Sequence, residues 1–469
     1  MGNNRRDFIK RSGLAGLGLA GSGFLSAKNN EISSRHYKSG RTQLQNMSGF
    51  AAPKMDKVRV GIIGLGQRGP GAVNRLSKIQ GVEIKALCDI REDKALKAKE
   101  RLKDTNHNPD LYFGGAMEWK RICDRDDIDL VYICTPWDWH TPMCVYAMEN
   151  GKHAATEVPA ATTLDECWQL VETSERTKKH CMMLENCCYD FFELLTLNMV
   201  RQGYFGDLIH AEGAYIHDLL GLNFNKEGYY QMWRLEENAT RDGNLYPTHG
   251  LGPVCWAMDI NRGDQMDYLV AMSSNDFMMA PHAKELSEDD PFFNMWASKK
   301  YRGNMNTTTV KTKKGRTIMI QHDVTSPRPY SRIHLISGTK GVARKYPSPS
   351  RIATGHEWKT EEEFKQLEAE YTPELIRKVG DMAKKIGGHG GMDFIMDWRL
   401  IDCLRNGISL DQDVYDAALW SAMAPLSEKS VANRSTSVDV PDFTAGAWKT
   451  NEPVDITLRG AGTTEVITQ

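Results

Sequence analysis

The run Val58-Arg-Val-Gly-Ile-Ile63 passes without interruption into Gly64-Leu-Gly66-Gln-Arg-Gly69 and then into a helical stretch through Leu76. Few folds accommodate a short β-branched segment followed by three glycines in G-x-G-x-x-G spacing and a helix. The first glycine permits a tight turn, the second lets a pyrophosphate approach the backbone, and the third allows close helix packing. The helix N-terminus then favours the anion. A second strand, Val82 to Cys88, ends at Asp89, 20 residues beyond Gly69. A carboxylate there accepts hydrogen bonds from a ribose 2′-hydroxyl and repels a 2′-phosphate, which favours NAD over NADP. The bland alternative is a generic doubly wound turn with a solvated aspartate.

Strand and helix keep alternating after this fingerprint. Asp129 to Thr135, Lys152 to Thr156 and His180 to Leu184 read as further strands. Thr141 and Pro142 suit the start of one intervening helix, and Thr163-Leu-Asp-Glu166 forms a capping box for another. The pattern predicts an N-terminal Rossmann domain, a doubly wound parallel sheet of the α/β class, over residues 56–188. From 189 the period changes. Asp207 to His217, Tyr268 to Ser273, Thr308 to Thr312, Thr317 to Asp323 and Arg332 to Ser337 read as strands, the last closing in the turn Gly338-Thr-Lys-Gly341. With a helical stretch from Leu410 to Ala432, residues 189–449 are expected to form an α+β domain with a mostly antiparallel sheet. Residues 450–469 read as a tail, and 219–243 and 276–304 as loops over an active site.

Lys plus Arg number 59 and Asp plus Glu 61, a formal charge of −2, so there is no electrostatic case for binding nucleic acid or an anionic membrane. The start of the chain carries Arg5-Arg6-Asp-Phe-Ile-Lys10, and then 12 residues from Leu14 to Leu25 that are too few to span a bilayer. This resembles a secretory signal of the twin-arginine type over residues 1–30, followed by a polar linker over 31–55. A periplasmic location and no stable membrane insertion are expected. The ten cysteines include no C-x-x-C pair, and several lie in apolar strand-like runs, so buried free thiols are expected rather than disulfides or zinc.

Loops at strand C-termini hold the ligand of a doubly wound sheet. Here they are Pro136-Trp137-Asp138-Trp139-His140, Glu157-Val158-Pro159 and Glu185-Asn186-Cys187-Cys188-Tyr189. The aromatic residues could border a nicotinamide or simply pack a helix start. Any acid or base must lie at such strand ends or on second-domain loops, and Tyr189, Tyr246 and His249 qualify as candidate catalytic groups. An imidazole titrates near neutrality, so His249 suits a base; a capping role is the alternative. The tyrosines could equally hydrogen-bond a carbonyl. His389 and Asp393 are four residues apart, but no third ligand accompanies them, and no metal is expected.

The order of glycine fingerprint, acidic strand end, Thr135-Pro-Trp-Asp-Trp-His140 and Glu157-Val-Pro159 resembles the glucose-fructose oxidoreductase and inositol dehydrogenase superfamily. More narrowly, Asp165-Glu-Cys-Trp-Gln-Leu-Val171, Leu184-Glu-Asn-Cys-Cys-Tyr189, Asn244-Leu-Tyr-Pro-Thr-His-Gly-Leu-Gly-Pro253, Ser326-Pro-Arg-Pro-Tyr-Ser331 and Gly387-Gly-His-Gly-Gly-Met-Asp-Phe394 resemble glycoside hydrolase family 109, from about residue 57 to 449. The resemblance implies an α-N-acetylgalactosaminidase with tightly bound NAD. It also implies that Gln67, Arg68, Asp89, Trp137 to His140, Glu157, Val158 and Asn186 contact the cofactor beside Gly64, Gly66 and Gly69. Tyr215, Arg234, Tyr246, Pro247, Thr248, His249 and Tyr330 would then contact the sugar.

One departure bears on the chemistry. Dehydrogenases of the wider superfamily usually carry Glu-Lys-Pro where this chain has Glu157-Val158-Pro159, so the usual catalytic lysine is missing. The resemblance implies hydride chemistry as an internal step: oxidation at C3 of a terminal sugar, loss of the C2 proton, elimination of the aglycone, addition of water and reduction, with no net redox. The partner would be a carbohydrate with terminal N-acetylgalactosamine, and the second sheet could favour a homodimer. Two alternatives stay open, a dismutating oxidoreductase of the glucose-fructose type and a non-catalytic sugar binder with structural NAD.

Overall fold

The computed structural model describes residues 41–468. The expected secretory signal, and the linker as far as residue 40, lie outside the described residues. The first half builds β1 (Val58–Ile63), β2 (Val82–Cys88), β3 (Asp110–Tyr112), β4 (Leu130–Ile133), β5 (His153–Thr156) and β6 (Cys181–Met183). They form a six-stranded sheet in the order β3-β2-β1-β4-β5-β6, parallel throughout. The order reverses between β1 and β4, which places the ligand crevice beyond the C-terminal ends of those strands. The strand β3 is three residues long and pairs only with β2, too short for an alternating pattern to mark it in the sequence.

The second half builds β7 (Leu208–Ile216), β8 (Met266–Ser273), β9 (Asn306–Thr312), β10 (Thr317–Asp323), β11 (Leu335–Gly338), β12 (Val342–Arg344), β13 (Arg351–Ala353) and β14 (Val438–Asp439). Their order is β13-β12-β11-β7-β10-β9-β8-β14, antiparallel except for the parallel pair β7 and β10. One face packs on helices Thr248–Ala257 and Val414–Ala432. The segments 219–243 and 276–304 are not plain loops, since they contain the helices Trp233–Thr240 and Met279–Asp289.

Two glycines set how closely the helix Thr248–Ala257 approaches β7. A Cβ on Gly213 would stand 2.4 Å from the Gly250 carbonyl oxygen, and one on Gly250 would stand 2.2 Å from the Ala214 nitrogen. Any larger side chain at either position would lift the helix off the sheet. On the other side of the same helix, a Cβ on Gly252 would come within 2.9 Å of Cys188 Sγ and Glu185 Cγ.

The chain does not simply leave the first sheet at residue 188. The helix Met392–Asn406 returns to pack on β1 and on the helix Gly69–Leu76. Buried Asp397 accepts from Arg75 Nε at 2.6 Å and from Tyr132 Oη at 2.7 Å. Residues 450–468, read from the sequence as a tail, also dock: Val466 bridges to Ile79, and Trp398 Nε1 donates to the Thr464 carbonyl. On the N-terminal side, Met47 is buried and its N–H donates to Tyr415 Oη. These segments are apolar or hydrogen-bonded only in part, so composition alone reads them as solvent-exposed chain. All ten cysteines are free and nine are buried, and no helix among the described residues is long and apolar enough to cross a membrane.

Removing one member of a buried ion pair leaves an uncompensated charge. Asp397→Ala is therefore expected to cost about 3–5 kcal/mol, read as a lowered midpoint in thermal or denaturant unfolding.

Candidate active site

The crevice at the switch point opens into a cleft of about 630 Å³ whose walls come from both sheets, a size ordinary for cofactor and small-ligand sites. On the first-sheet side the glycine turn has the geometry its pattern predicts. Gly64 has φ +87°, and a Cβ on Gly69 would stand 2.0 Å from the Gly64 oxygen. Gly69 thus serves the turn and does not line the cleft. A Cβ on Gly66 would meet nothing within 4 Å and would project into space that the loop leaves open, as a pyrophosphate cradle requires. Asp89 holds this turn in shape, accepting from the N–H of Leu65 at 2.7 Å and of Arg91 at 2.9 Å.

Gln67, Arg68, Asp89, Trp137, Trp139, His140, Glu157, Val158 and Asn186 line the cleft with Gly64 and Gly66. Arg68 donates to Glu157 Oε1 at 2.8 Å, and Asn186 Nδ2 donates to Asp393 Oδ1 at 2.5 Å. Burial opposes ionisation of Asp393, yet His389, Arg68 and Arg75 around it hold its carboxyl well below the usual range. Asp138 is the exception among these expected cofactor residues: it is exposed and does not line the cleft, because the short 3₁₀ turn Trp137–Trp139 points both tryptophans inward. His140 lines the wall, but both ring nitrogens are occupied by carbonyls, Pro159 O at 2.6 Å and Thr135 O at 2.8 Å. It fastens two strand-end loops together.

The opposite wall is supplied by the second half. Tyr215, Arg234, Tyr246 and His249 converge there. The Tyr246 ring stacks on Trp137 at 5.7 Å and 19°, and the Arg234 guanidinium lies 4.7 Å from the Tyr246 centroid and 5.3 Å from that of Trp137. Arg234 Nη1 donates to Tyr229 Oη at 2.9 Å, and its buried Nη2 has no hydrogen-bond partner among the described residues. A desolvated cation with a donor unused is a receptor for a ligand oxygen. Burial pushes the Tyr246 phenol well above its ordinary range, so it stays protonated and can donate.

His249 is fixed by a residue that the sequence pattern does not single out. Its Nδ1 lies 2.7 Å from Glu185 Oε1, which also accepts the Cys187 N–H at 3.0 Å. Burial alone would raise the Glu185 carboxyl, but His249, Thr248 and that N–H outweigh it and hold the pKa below the ordinary glutamate range. An ionised carboxylate only accepts, so in the neutral ring the proton sits on Nδ1 and Nε2 keeps its lone pair. Glu185 stands just beyond the C-terminal end of β6, where ligand-facing groups gather, and that position was the available signal.

Four further expected residues do not line the cleft. Tyr189, a candidate catalytic group, is fully buried outside the cleft, with its hydroxyl on Asp411 Oδ2 at 3.3 Å and its ring edge-on to Trp256. The 3₁₀ turn Asn186–Tyr189 rotates it inward, away from the ligand side. Pro247 and Thr248 are buried at the start of the helix that carries His249 and do not line the cleft. Tyr330, 38% exposed, stands at the rim with its ring 4.9 Å from that of His217. His217, Trp233 and the segment Glu227 to Tyr230 line the cleft without any motif to announce them, and His389, weighed in the sequence only as half of a metal pair, lines it too.

That segment crosses from the second half to the first. Gln67 Nε2 donates to the Gly228 carbonyl at 3.0 Å, and the Arg91 guanidinium lies 5.6 Å from the Tyr230 ring. Gln231 and Met232 follow with φ of 52° and 53°, and the helix bearing Arg234 begins at Trp233.

Fold and site together define a nicotinamide-dinucleotide protein with a second, ligand-facing sheet. The family described as "Oxidoreductase family, NAD-binding Rossmann fold" matches residues 58–185, and "Glycosyl hydrolase 109, C-terminal domain" matches residues 189–450. An α-N-acetylgalactosaminidase of Bacteroides fragilis is 52% identical over 410 residues, covering 86% of this chain and 95% of its own. A glycosyl hydrolase family 109 protein of Shewanella baltica is 46% identical over 461 residues, covering 97% and 98%. Among solved structures, levoglucosan dehydrogenase in complex with NADH and levoglucosan superposes with a TM-score of 0.63 at 17% identity, covering 82% of this chain and all of that one. Scyllo-inositol dehydrogenase of Lactobacillus casei with NAD(H) and scyllo-inositol gives 0.57 at 14%, covering 82% and 99%. These last two share the fold. The chain belongs to glycosyl hydrolase family 109: it is a glycoside hydrolase whose cofactor is NAD and whose substrates are carbohydrates.

Glu185→Gln keeps an acceptor for Nδ1 and removes the negative charge beside the ring. It is expected to lower kcat by about 10²-fold with the bound nucleotide, read by absorbance, unchanged.

Proposed function

We propose that this chain removes terminal α-linked N-acetylgalactosamine from glycans by a cycle with no net redox, and that His249, held by Glu185, is its base. The carrying observation is the Glu185–His249 pair at 2.7 Å on the wall facing the cofactor residues. The 52% identity to the Bacteroides fragilis α-N-acetylgalactosaminidase supports the choice of sugar.

When bound by the glycine turn, Asp89 and the first-sheet wall, NAD supplies a hydride acceptor and later a hydride donor at C3 of the sugar. The chain's own residues manage protons and position. Oxidation of the C3 hydroxyl, whose O–H proton passes to solvent and is regained on reduction, acidifies the C2 hydrogen, and Nε2 of His249 takes that C2 proton. The electron pair from the C2–H bond becomes the C1–C2 double bond as the C1–O bond breaks and the aglycone leaves. Water then adds at C1, and His249, its Nε2 proton by then exchanged with solvent, protonates C2. Tyr246, kept as a phenol by burial, donates a hydrogen bond to a sugar oxygen, and the unused Nη2 of Arg234 binds another. Val158, apolar and 4% exposed, moves no proton where related dehydrogenases place lysine, so the acid–base work falls to the second-sheet wall.

Purified enzyme without added NAD should release nitrophenol from para-nitrophenyl α-N-acetylgalactosaminide, and the product formed in D₂O should carry deuterium at C2. His249→Ala should lose about 10²–10⁴-fold in kcat. Product without C2 deuterium would exclude the elimination route. Conversion of a mixed aldose and ketose pair, with no nitrophenol, would instead indicate a dismutating oxidoreductase.

The reading includes export by the twin-arginine route and self-association. Arg5-Arg6 ahead of an apolar run supports the first. Tyr268, Val270, Met272, Thr309 and Met319 share the sheet face away from the helices, which supports the second. Cell fractionation should recover the enzyme in the periplasm, and sedimentation of that fraction should give twice the chain mass.

A further inference from the structure

The cleft grades from a closed floor to an open rim. Arg234, Tyr246 and Tyr215 are each 8% exposed, whereas Tyr330 is 38% exposed. His217 lies between these levels. It follows β7 two residues after Tyr215, and its ring nitrogen Nδ1 is 3.0 Å from the Tyr215 hydroxyl. Its ring also stands edge-on to Tyr330 at 4.9 Å and 83°.

The hydrogen-bond directions fix what His217 offers a ligand. The Tyr215 hydroxyl faces the Arg234 guanidinium, which can only donate, so the hydroxyl proton goes to His217 Nδ1. Burial and Arg234 hold the His217 pKa below the ordinary range, leaving the ring neutral with its one proton on Nε2. Among the described residues, Nε2 makes no hydrogen bond. His217 therefore presents one N–H beside an aromatic face, the pairing that suits a saccharide: a donor for a hydroxyl and a ring for its apolar face.

Resting on the reading above, we propose that His217 forms part of the binding site for the sugar residue that leaves, its Nε2–H donating to one of that residue's oxygens. The terminal sugar must reach His249, Tyr246 and Arg234 at the closed end. Whatever is attached through C1 must then extend toward the rim, past His217. A neutral imidazole there acts as a hydrogen-bond donor and a specificity determinant, and it adds no proton-transfer step.

The test uses the full NAD-containing enzyme and two substrates, para-nitrophenyl α-N-acetylgalactosaminide and a disaccharide in which the same sugar is α-linked to galactose. His217→Ala should lower kcat/KM on the disaccharide about tenfold, the worth of one hydrogen bond, and lower it about threefold or less on the aryl glycoside. His217→Gln, which restores an N–H at similar reach, should recover most of the disaccharide loss. Equal losses on both substrates would overturn the proposal, placing the effect of His217 on the terminal sugar through Tyr215. Unchanged disaccharide turnover would overturn it too. If the unaltered enzyme cleaved neither substrate, the hydrolase reading itself would fall, a result distinct from either of these.

Discussion

The crossing of Gly213 and Gly250 is the constraint on which the site depends. Backbone meets backbone there with no room for a methyl group on either side, so the helix Thr248–Ala257 sits directly on β7. That closeness puts the His249 ring 5.3 Å from Tyr215 and 4.9 Å from Tyr246. Gly252, two residues along and on the other side, lets the same helix meet the loop that carries Glu185. The Pro-Thr-His-Gly-Leu-Gly-Pro segment is thus a packing instruction as much as a catalytic motif: its glycines set where its histidine stands.

Asp393 joins the two ends of the chain around the other wall. It binds Arg68 from the glycine turn and Asn186 from the β6 loop while sitting on a helix 325 and 207 residues further on, respectively. Arg75, on the helix that the glycine turn begins, reaches Asp397 one turn along that same later helix. Buried charges tolerate such a place only when partnered on several sides, and the partnering makes the cofactor wall a product of the whole chain rather than of its first third.

Much of the architecture was legible in the sequence because it is written locally. Gly64, Gly66, Gly69 and Asp89 lie within one strand-turn-helix-strand unit, and the second-sheet strands announce themselves by alternation. Other features depend on partners distant in sequence. Tyr189 and Glu185 sit at the same strand end, yet one short turn sends the tyrosine into the interior toward Asp411 and leaves the carboxylate beside His249. No periodicity distinguishes the two. Asp138 is lost for a similar reason, since its two flanking tryptophans claim the inward face. The docking of residues 450–468 rests on a few isolated contacts, too sparse to leave a pattern.

The bridge from Gln67 to Gly228 has a consequence for how such a catalyst ages. The segment that reaches across the glycine turn continues directly into the helix holding Arg234, whose guanidinium is tied to Tyr229 on that same segment. Lifting it far enough to free a nucleotide also takes apart the sugar-facing wall. Where no surrounding pool replaces a lost nucleotide, each escape retires one molecule. Working lifetime is then a ratio of two rates, cycles completed against departures of the bridge, and affinity measured at equilibrium says little about it.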